Sequence, residues 1–331
     1  MNITVLKRGD AVSAAKLWNR CVEAGDVPYA PLTPESFESI FFDNPHYTEE
    51  YTLAARDEDG TLLGFASALV KRHYLQGEDF DNTPAYLTML MTDPAHRGKG
   101  VASALLDALE KRFAAVGKHR MAVTYRNPVI LTWQVPGCPG VFHNNAPGVA
   151  VDSDAFRFLS KRGYRQLRVE DGMYLPLAEF VMSADCRRRL ENLEAQGIEI
   201  GFYDAARHTG FEELFDALHG EVWRETMRVN AALENPLPVL IAADGGRIVG
   251  FAGPIDKEPN GRGWFNGIAT HPGYQGRGIA KVLFQRLMEE FRKIGAGYST
   301  LFTDEENPAL NLYRSVGFEV AKRFAVMEKE L

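Results

Sequence analysis

This sequence of 331 residues predicts an α+β protein made of two like units in tandem. The first observation behind that reading is a stretch that occurs twice. Leu90–Ala102 (LMTDPAHRGKGVA) lies over Ile268–Ala280 (IATHPGYQGRGIA) without a gap. Each copy leaves an apolar run of strand length, turns at Asp93-Pro94 or His271-Pro272, crosses a glycine-rich loop and opens a helix with apolar residues at helical spacing. The second observation is the repeated order of strands and helices around the two copies, which marks two structural units of one kind. The third is length, which suits two domains of ordinary size.

In the first half, Ile3–Leu6 reads as a strand and 10–24 as a helix stopped near Gly25. Pro34–Phe42 reads as a short helix with Thr33 at its N-cap. Tyr51–Arg56 and Leu62–Leu75 are strands around the turn Asp57-Glu58-Asp59-Gly60. Ala85–Thr92 is the strand that feeds the first loop, Gly100–Val116 its helix, and Met121–Tyr125 the next strand. The segment Arg126–Gly148, rich in proline and glycine, is too long for a simple connection. Two kinds of role fit it equally: a wall of a substrate site or a domain–domain contact on one hand, a cover for exposed sheet on the other. Asp152–Arg162 is a helix stopped at Gly163, and Arg165–Glu170 and Met173–Leu177 read as two closing strands.

Ser183–Gln196 is a charged helix at the boundary, which places the units at 1–180 and 181–331. The second half then repeats the order. Ile198–Tyr203 is a strand, and Gly210–Val229 holds one or two helices. Val239–Ala243 and Ile248–Pro254 are strands around Asp244-Gly245-Gly246. Trp264–Thr270 feeds the second loop, Gly278–Ile294 is its helix, and Tyr298–Phe302 the following strand. Ala309–Ser315 is a short helix ending at Gly317-Phe318, and Glu319–Lys329 supplies the last strands.

The first turn of a helix presents unpaired N–H groups and the positive end of a dipole, and glycines let an anion approach them closely. Both loops fit [QR]-x-x-G-x-A. Neither is a Walker loop or a dinucleotide fingerprint, since Gly-Lys-[Ser/Thr] and G-x-G-x-x-G are absent at those sites. The two loops resemble motif A of the GCN5-related N-acetyltransferases (GNATs). The pairs Gly163-Tyr164 and Gly317-Phe318 resemble the family's later helix-end signature. The resemblance implies two tandem acyl-CoA N-acyltransferase folds, each a mixed sheet that splays apart to admit acetyl-CoA, with no metal.

In the C-terminal unit it implies that Gln275, Gly276, Arg277, Gly278, Ile279 and Ala280 hold the pyrophosphate and that Ile268, Ala269 and Thr270 pair with the pantetheine arm. An amide near Ile268 would polarise the thioester carbonyl. Tyr313, four residues before Gly317, stands at the family's general-acid position. Asn307 resembles the asparagine that contacts pantetheine, one residue off the commoner spacing, with Asn311 as the alternative. In the N-terminal unit, Leu90, Met91, Thr92, Arg97, Gly98, Lys99, Gly100, Val101 and Ala102 are the corresponding cofactor residues. Leu159 stands where Tyr313 stands in the other unit, and Ser153 stands near the place of Asn307. This asymmetry implies a catalytic C-terminal unit and an N-terminal unit that binds CoA weakly, binds it structurally or shapes the acceptor site. The general base is not legible; Glu221, Glu225, His219, Asp304 and Glu305 are candidates that read equally as surface charges.

The implied activity is transfer of acetyl from acetyl-CoA to a primary amine of a small molecule or peptide. The rival reading is a non-catalytic acyl-CoA-binding or regulatory protein. A formal net charge of -7 disfavours a nucleic-acid partner, including an aminoacyl-tRNA donor, and favours cationic acceptors only weakly. Cys21, Cys138 and Cys186 are too dispersed for a disulfide framework or a zinc site. With no signal-peptide pattern and no apolar run of membrane-spanning length, a cytoplasmic enzyme with no membrane partner is expected.

Overall fold

The computed structural model describes every residue except Asp26. The chain forms two compact units, Met1–Gly172 with Ala321–Leu331, and Met173–Val320. This differs from the division expected at 180/181. The last eleven residues, expected to finish the second unit, belong to the first.

In chain order the elements are β1 (Asn2–Val5), α1 (Ala11–Glu23), α2 (Pro34–Phe37), β2 (Thr52–Arg56), β3 (Leu62–Leu69), β4 (Ala85–Thr92), α3 (Val101–Ala115) and β5 (Arg120–Val123). Next come β6 (Trp133–Gln134), β7 (Phe142–His143), β8 (Val149–Ala150), α4 (Asp154–Lys161), β9 (Arg165–Pro176) and α5 (Ala184–Ala195). Then follow β10 (Ile198–Phe202), α6 (Phe211–Leu218), α7 (Glu221–Ala231), β11 (Leu240–Asp244), β12 (Arg247–Gly253), β13 (Asp256–Lys257) and β14 (Arg262–Trp264). The chain ends with β15 (Gly267–Thr270), α8 (Ile279–Lys293), β16 (Tyr298–Asp304), α9 (Ala309–Val316) and β17 (Glu319–Glu330).

In the first unit, β1 to β4 form an antiparallel meander, β5 joins β4 in parallel, and β17 runs antiparallel to β5. Both faces of this sheet are covered. Trp18, Phe37 and Phe41 of the α1–α2 side pack with Phe65, and Leu105, Leu109 and Phe113 of α3 pack with Leu53 and Ala66. That explains why β3 is buried at every position instead of alternating. Gly64 is required there, because a Cβ would come within 2.7 Å of the Met91 carbonyl and 2.8 Å of Val101. The Thr33 cap is present, accepting from the Ser36 amide at 3.1 Å, but α2 stops at Phe37 and a wider turn continues to Phe42.

The proline- and glycine-rich segment is a packed wall. Its β6–β7 hairpin carries Trp133, fully buried against Phe324, with the indole N–H donating to the Asn145 carbonyl at 3.1 Å. The ring lies under Gly172, where a Cβ would meet it at 2.9 Å. Residues 171–172 therefore stay extended, and β9 is one strand where the sequence predicts two.

In the second unit, β10, β11, β12 and β15 form an antiparallel sheet, and β14 pairs in parallel with β16. Val282, Leu283, Leu287 and Phe291 of α8 fill one side of the core; Phe215, Met227 and Phe251 fill the other. The strand expected over Trp264–Thr270 is broken into β14 and β15. The helical region 210–229 is broken at His219, which adopts a left-handed φ of 51°.

Candidate functional site

Each unit opens a gap where two parallel strands part. In the first, β4 pairs with β5 at Ala85/Met121 and Tyr86/Ala122. Leu87–Thr92 then lines a cavity of about 530 Å³. In the second, β14 and β16 pair at Arg262/Tyr298 and Gly263/Ser299, after which, among the described residues, β15 pairs only with β12 and forms a sheet edge. Each parting strand offers unpaired backbone groups to an extended ligand, the requirement for adding a strand.

A glycine loop sits at the end of each parting strand. Gly98 and Gly100 have φ of 71° and 82°, and Gly276 and Gly278 have 79° and 87°. These left-handed conformations suit glycine and turn backbone N–H groups toward the helix start. The preceding turns are held differently. Asp93 accepts from the Ala95 amide at 3.0 Å and from Arg20 Nε at 2.8 Å. His271 Nδ1 accepts from the Gly273 amide at 3.1 Å. Burial pushes the Asp93 carboxyl up, but the Arg20 guanidinium and the Ala95 amide outweigh it and hold it below the usual carboxylate range. A depressed folded value gives stability that is present above the unfolded value near 3.9 and is lost as pH falls through the folded one. Asp93→Asn keeps a capping oxygen but removes the ion pair with Arg20, and is therefore expected to cost about 0.5–1 kcal/mol at pH 7. The difference from the unmodified protein should shrink as pH falls through the depressed folded value and vanish below it, as urea denaturation across pH will check.

Of the nine cofactor residues expected in the first unit, Leu90, Met91, Thr92, Arg97, Gly98, Gly100, Val101 and Ala102 line the cavity. Lys99 does not; its ammonium folds back onto the Ala95 carbonyl at 3.1 Å. In the second unit Arg277 stacks on Tyr274 at 4.8 Å, and Tyr274 donates to Asp244 at 2.7 Å. Gln275 reaches the Thr270 carbonyl at 3.4 Å, and Ile268, Ala269 and Thr270 form the free edge. Thr92 and Thr270 occupy the same place in the two repeats. In both, the hydroxyl is buried without a hydrogen-bond partner among the described residues. Paired orphan hydroxyls beside glycine loops fit a polar ligand lying along the edge strand.

Tyr313 packs on Phe284 and Phe318, with ring centroids 5.2 and 6.4 Å away, and burial pushes its phenol up. It thus keeps its proton at neutral pH. Asn307 is engaged locally, donating to Thr303 at 3.0 Å and accepting from the Ala309 amide at 2.9 Å. Glu221 is bound to Arg224 at 3.1 Å, and Asp304 accepts from the Glu306 amide at 2.9 Å. Glu225 and Glu305 are exposed.

Two groups of site residues escape sequence reasoning. Val27, Pro28 and Tyr29 join the first cavity from a connection some sixty residues before β4, and Gly148 and Val149 join it from the wall segment. In the second unit Arg189 of α5 lies 3.6 Å from where a Gly278 Cβ would stand, and Asp185 bridges Arg189 and Lys281. Nothing in the spacing of these residues announces the contact.

Parting parallel strands with a glycine loop at the end of each define an acyl-CoA transferase type of fold. The acetyltransferase (GNAT) family profile matches residues 16–129 and 179–318, and the chain belongs to that family. Among curated proteins it is 39% identical over 98 residues to mycothiol acetyltransferase of Thermobifida fusca, covering 26% of this chain and 30% of that protein. It is 40% identical over 80 residues to the N-alpha-acetyltransferase RimI of Mycobacterium tuberculosis, covering 24% and 49%. The matches thus span less than half of either relative.

Among solved structures, a tandem GNAT protein from the clavulanic acid biosynthesis pathway aligns with a TM-score of 0.58 at 16% identity, covering 99% of this chain and 98% of that one. A GCN5-related N-acetyltransferase from Sphaerobacter thermophilus aligns with a TM-score of 0.62 at 19% identity, covering 99% and 95%. At such identities these neighbours show the fold: two tandem GNAT regions. Among the described residues no helix is long and apolar enough to cross a membrane, and no group of three or more His, Cys, Asp or Glu stands ready to hold a metal.

Proposed function

We propose that the protein transfers an acetyl group from acetyl-CoA to a primary amine of a small molecule or peptide by direct attack in a ternary complex. The observation that carries this reading is the duplicated gap, with a free strand edge, an orphan threonine hydroxyl and a glycine loop in each unit. The loop amides of Arg97–Ala102 and Gln275–Ala280 bind the pyrophosphate. The edges Leu90–Thr92 and Ile268–Thr270 hold the pantetheine arm, with Asn307 tying down the chain beside the second edge. Bound acetyl-CoA supplies an activated thioester. Tyr313 holds a proton for the departing thiolate, and an edge amide near Ile268 faces the carbonyl oxygen as charge develops on it. We assign catalysis by Tyr313 to the C-terminal unit, acting in the cytoplasm on an acceptor still to be identified.

The intact loop and cavity of the first unit support a second acyl-CoA site in that half. Calorimetric titration of acetyl-CoA into Gly100→Glu and Gly278→Glu proteins tests the assignment. Both positions have a left-handed φ, so melting temperatures are recorded alongside. Each substitution is expected to remove one of two binding events, because a carboxylate at the loop repels the pyrophosphate. Full binding by both folded variants would sink the acetyl-CoA reading. CoA thiol release with a panel of amines separates an enzyme from a binding protein.

A further inference from the structure

The first unit does not lack a phenol; it carries one from another element. We propose that the N-terminal unit is itself an acetyl-transfer site, in which Tyr29 delivers the proton that a tyrosine at position 159 would have delivered. This rests on the reading of the loops as acetyl-CoA sites and extends it to a second active centre.

Three observations converge. Tyr29 and Leu159 line the same cavity as the glycine loop residues Arg97, Gly98 and Gly100, so a phenol and the cofactor cradle share one chamber. The α4 position that holds Tyr313 in the second unit is filled here by buried Leu159, which cannot donate a proton. Finally, Tyr29 is held in place. Its ring lies against Trp18 with centroids 5.3 Å apart, and Trp18 Nε1 donates to the Ala30 carbonyl at 2.9 Å. The wall segment holds the backbone on the other side: Gln134 N–H donates to the Pro28 carbonyl at 2.7 Å and Ala30 N–H to the Thr132 carbonyl at 3.1 Å. Residues 28–30 are thereby fastened, through an isolated bridge between Tyr29 and Trp133, against the insertion that the second unit lacks.

The hydroxyl of Tyr29 makes no hydrogen bond among the described residues. A phenol that lines the cavity with its donor uncommitted to the protein can donate to a ligand there. Burial pushes this phenol up to about 12, so it stays protonated through neutral pH. In the reaction the amine nitrogen forms a bond to the thioester carbon, and the C–S bond then breaks. The sulfur takes the Tyr29 proton, and the proton lost by the amine passes through water to restore the phenol. Products are the amide and CoA thiol, with no other reactant.

The test uses the full chain with the second loop blocked by Gly278→Glu, so that remaining turnover belongs to the first unit. CoA thiol release is followed with phenylethylamine, a dipeptide amide, spermidine and an aminoglycoside. Expected are measurable turnover in Gly278→Glu and a further 10²- to 10⁴-fold fall in kcat when Tyr29→Phe is added, with KM for acetyl-CoA changed by less than about threefold. A merely structural role would raise KM or lower the melting temperature instead. If Gly278→Glu is silent while Gly100→Glu is active, the inference is overturned and the acetyltransferase reading stands. An unchanged kcat in the double variant overturns the role of Tyr29. No thiol release by the unmodified protein overturns the acetyltransferase reading itself, and this inference with it.

Discussion

Tyr313→Phe, in a chain whose first loop is blocked by Gly100→Glu, is expected to lower kcat by about 10²- to 10⁴-fold. The KM for acetyl-CoA should stay nearly constant, because the role proposed for the phenol is to protonate the leaving sulfur, which contributes little to ground-state binding. The physical basis is the environment of the ring. Phe284 and Phe318 pack around it and burial raises its pKa, so the O–H persists where an exposed phenol would begin to ionise. The sign of the shift sets a second expectation. Ionisation of this group removes the donor only above its ordinary value near 10, so it adds no falling limb to the kcat profile between pH 7 and about 9.5. Steady-state kinetics over that range check both. A kcat within twofold of the Gly100→Glu parent would remove Tyr313 from the mechanism.

Trp133→Ala carries the largest expected effect on stability, a loss of about 3–5 kcal/mol. The indole is fully buried and touches Phe324, His143 and the backbone at Gly172, and its N–H is satisfied within the wall segment. Removing it leaves a void between the hairpin and the sheet and orphans the Asn145 carbonyl. The same wall fastens residues 28–30 and contributes Gly148 and Val149 to the first cavity. Weaker acetyl-CoA binding by the first unit should therefore accompany the loss, with the second unit unaffected. Urea denaturation read by tryptophan fluorescence, paired with calorimetry, checks the two together. A loss under 1 kcal/mol would mean that the segment is a surface cover after all.

The site was legible in the sequence wherever its geometry is local. A glycine loop between a strand and a helix is built from consecutive residues, so Gly98, Gly100, Gly276 and Gly278 could be placed from spacing, and all four adopt the left-handed φ that the loop needs. The cap at Thr33 is local for the same reason. Lys99 shows the limit even there. Its place in the loop is fixed by sequence, but which way a long side chain turns is settled by the nearest acceptor, here the Ala95 carbonyl.

What the sequence determined by itself is the repetition: two α+β units, two anion-ready helix starts and a phenol in only one of the two matching helices. Periodicity and turn chemistry are short-range, and they survive without knowledge of what packs on what. The tertiary structure decided three things that spacing could not. It returned Ala321–Leu331 to the first unit, because strand pairing depends on which edge is open and not on chain order. It joined residues 165–176 into one strand, because the Trp133 ring occupies the space beside Gly172. It brought Tyr29 into the cavity that the first glycine loop lines, across some seventy residues of chain, because the hairpin at 133–143 fastens the connection that carries it. Contacts of this kind are fixed by side-chain volume and by backbone hydrogen bonds between distant segments, and neither leaves a periodic trace in the sequence.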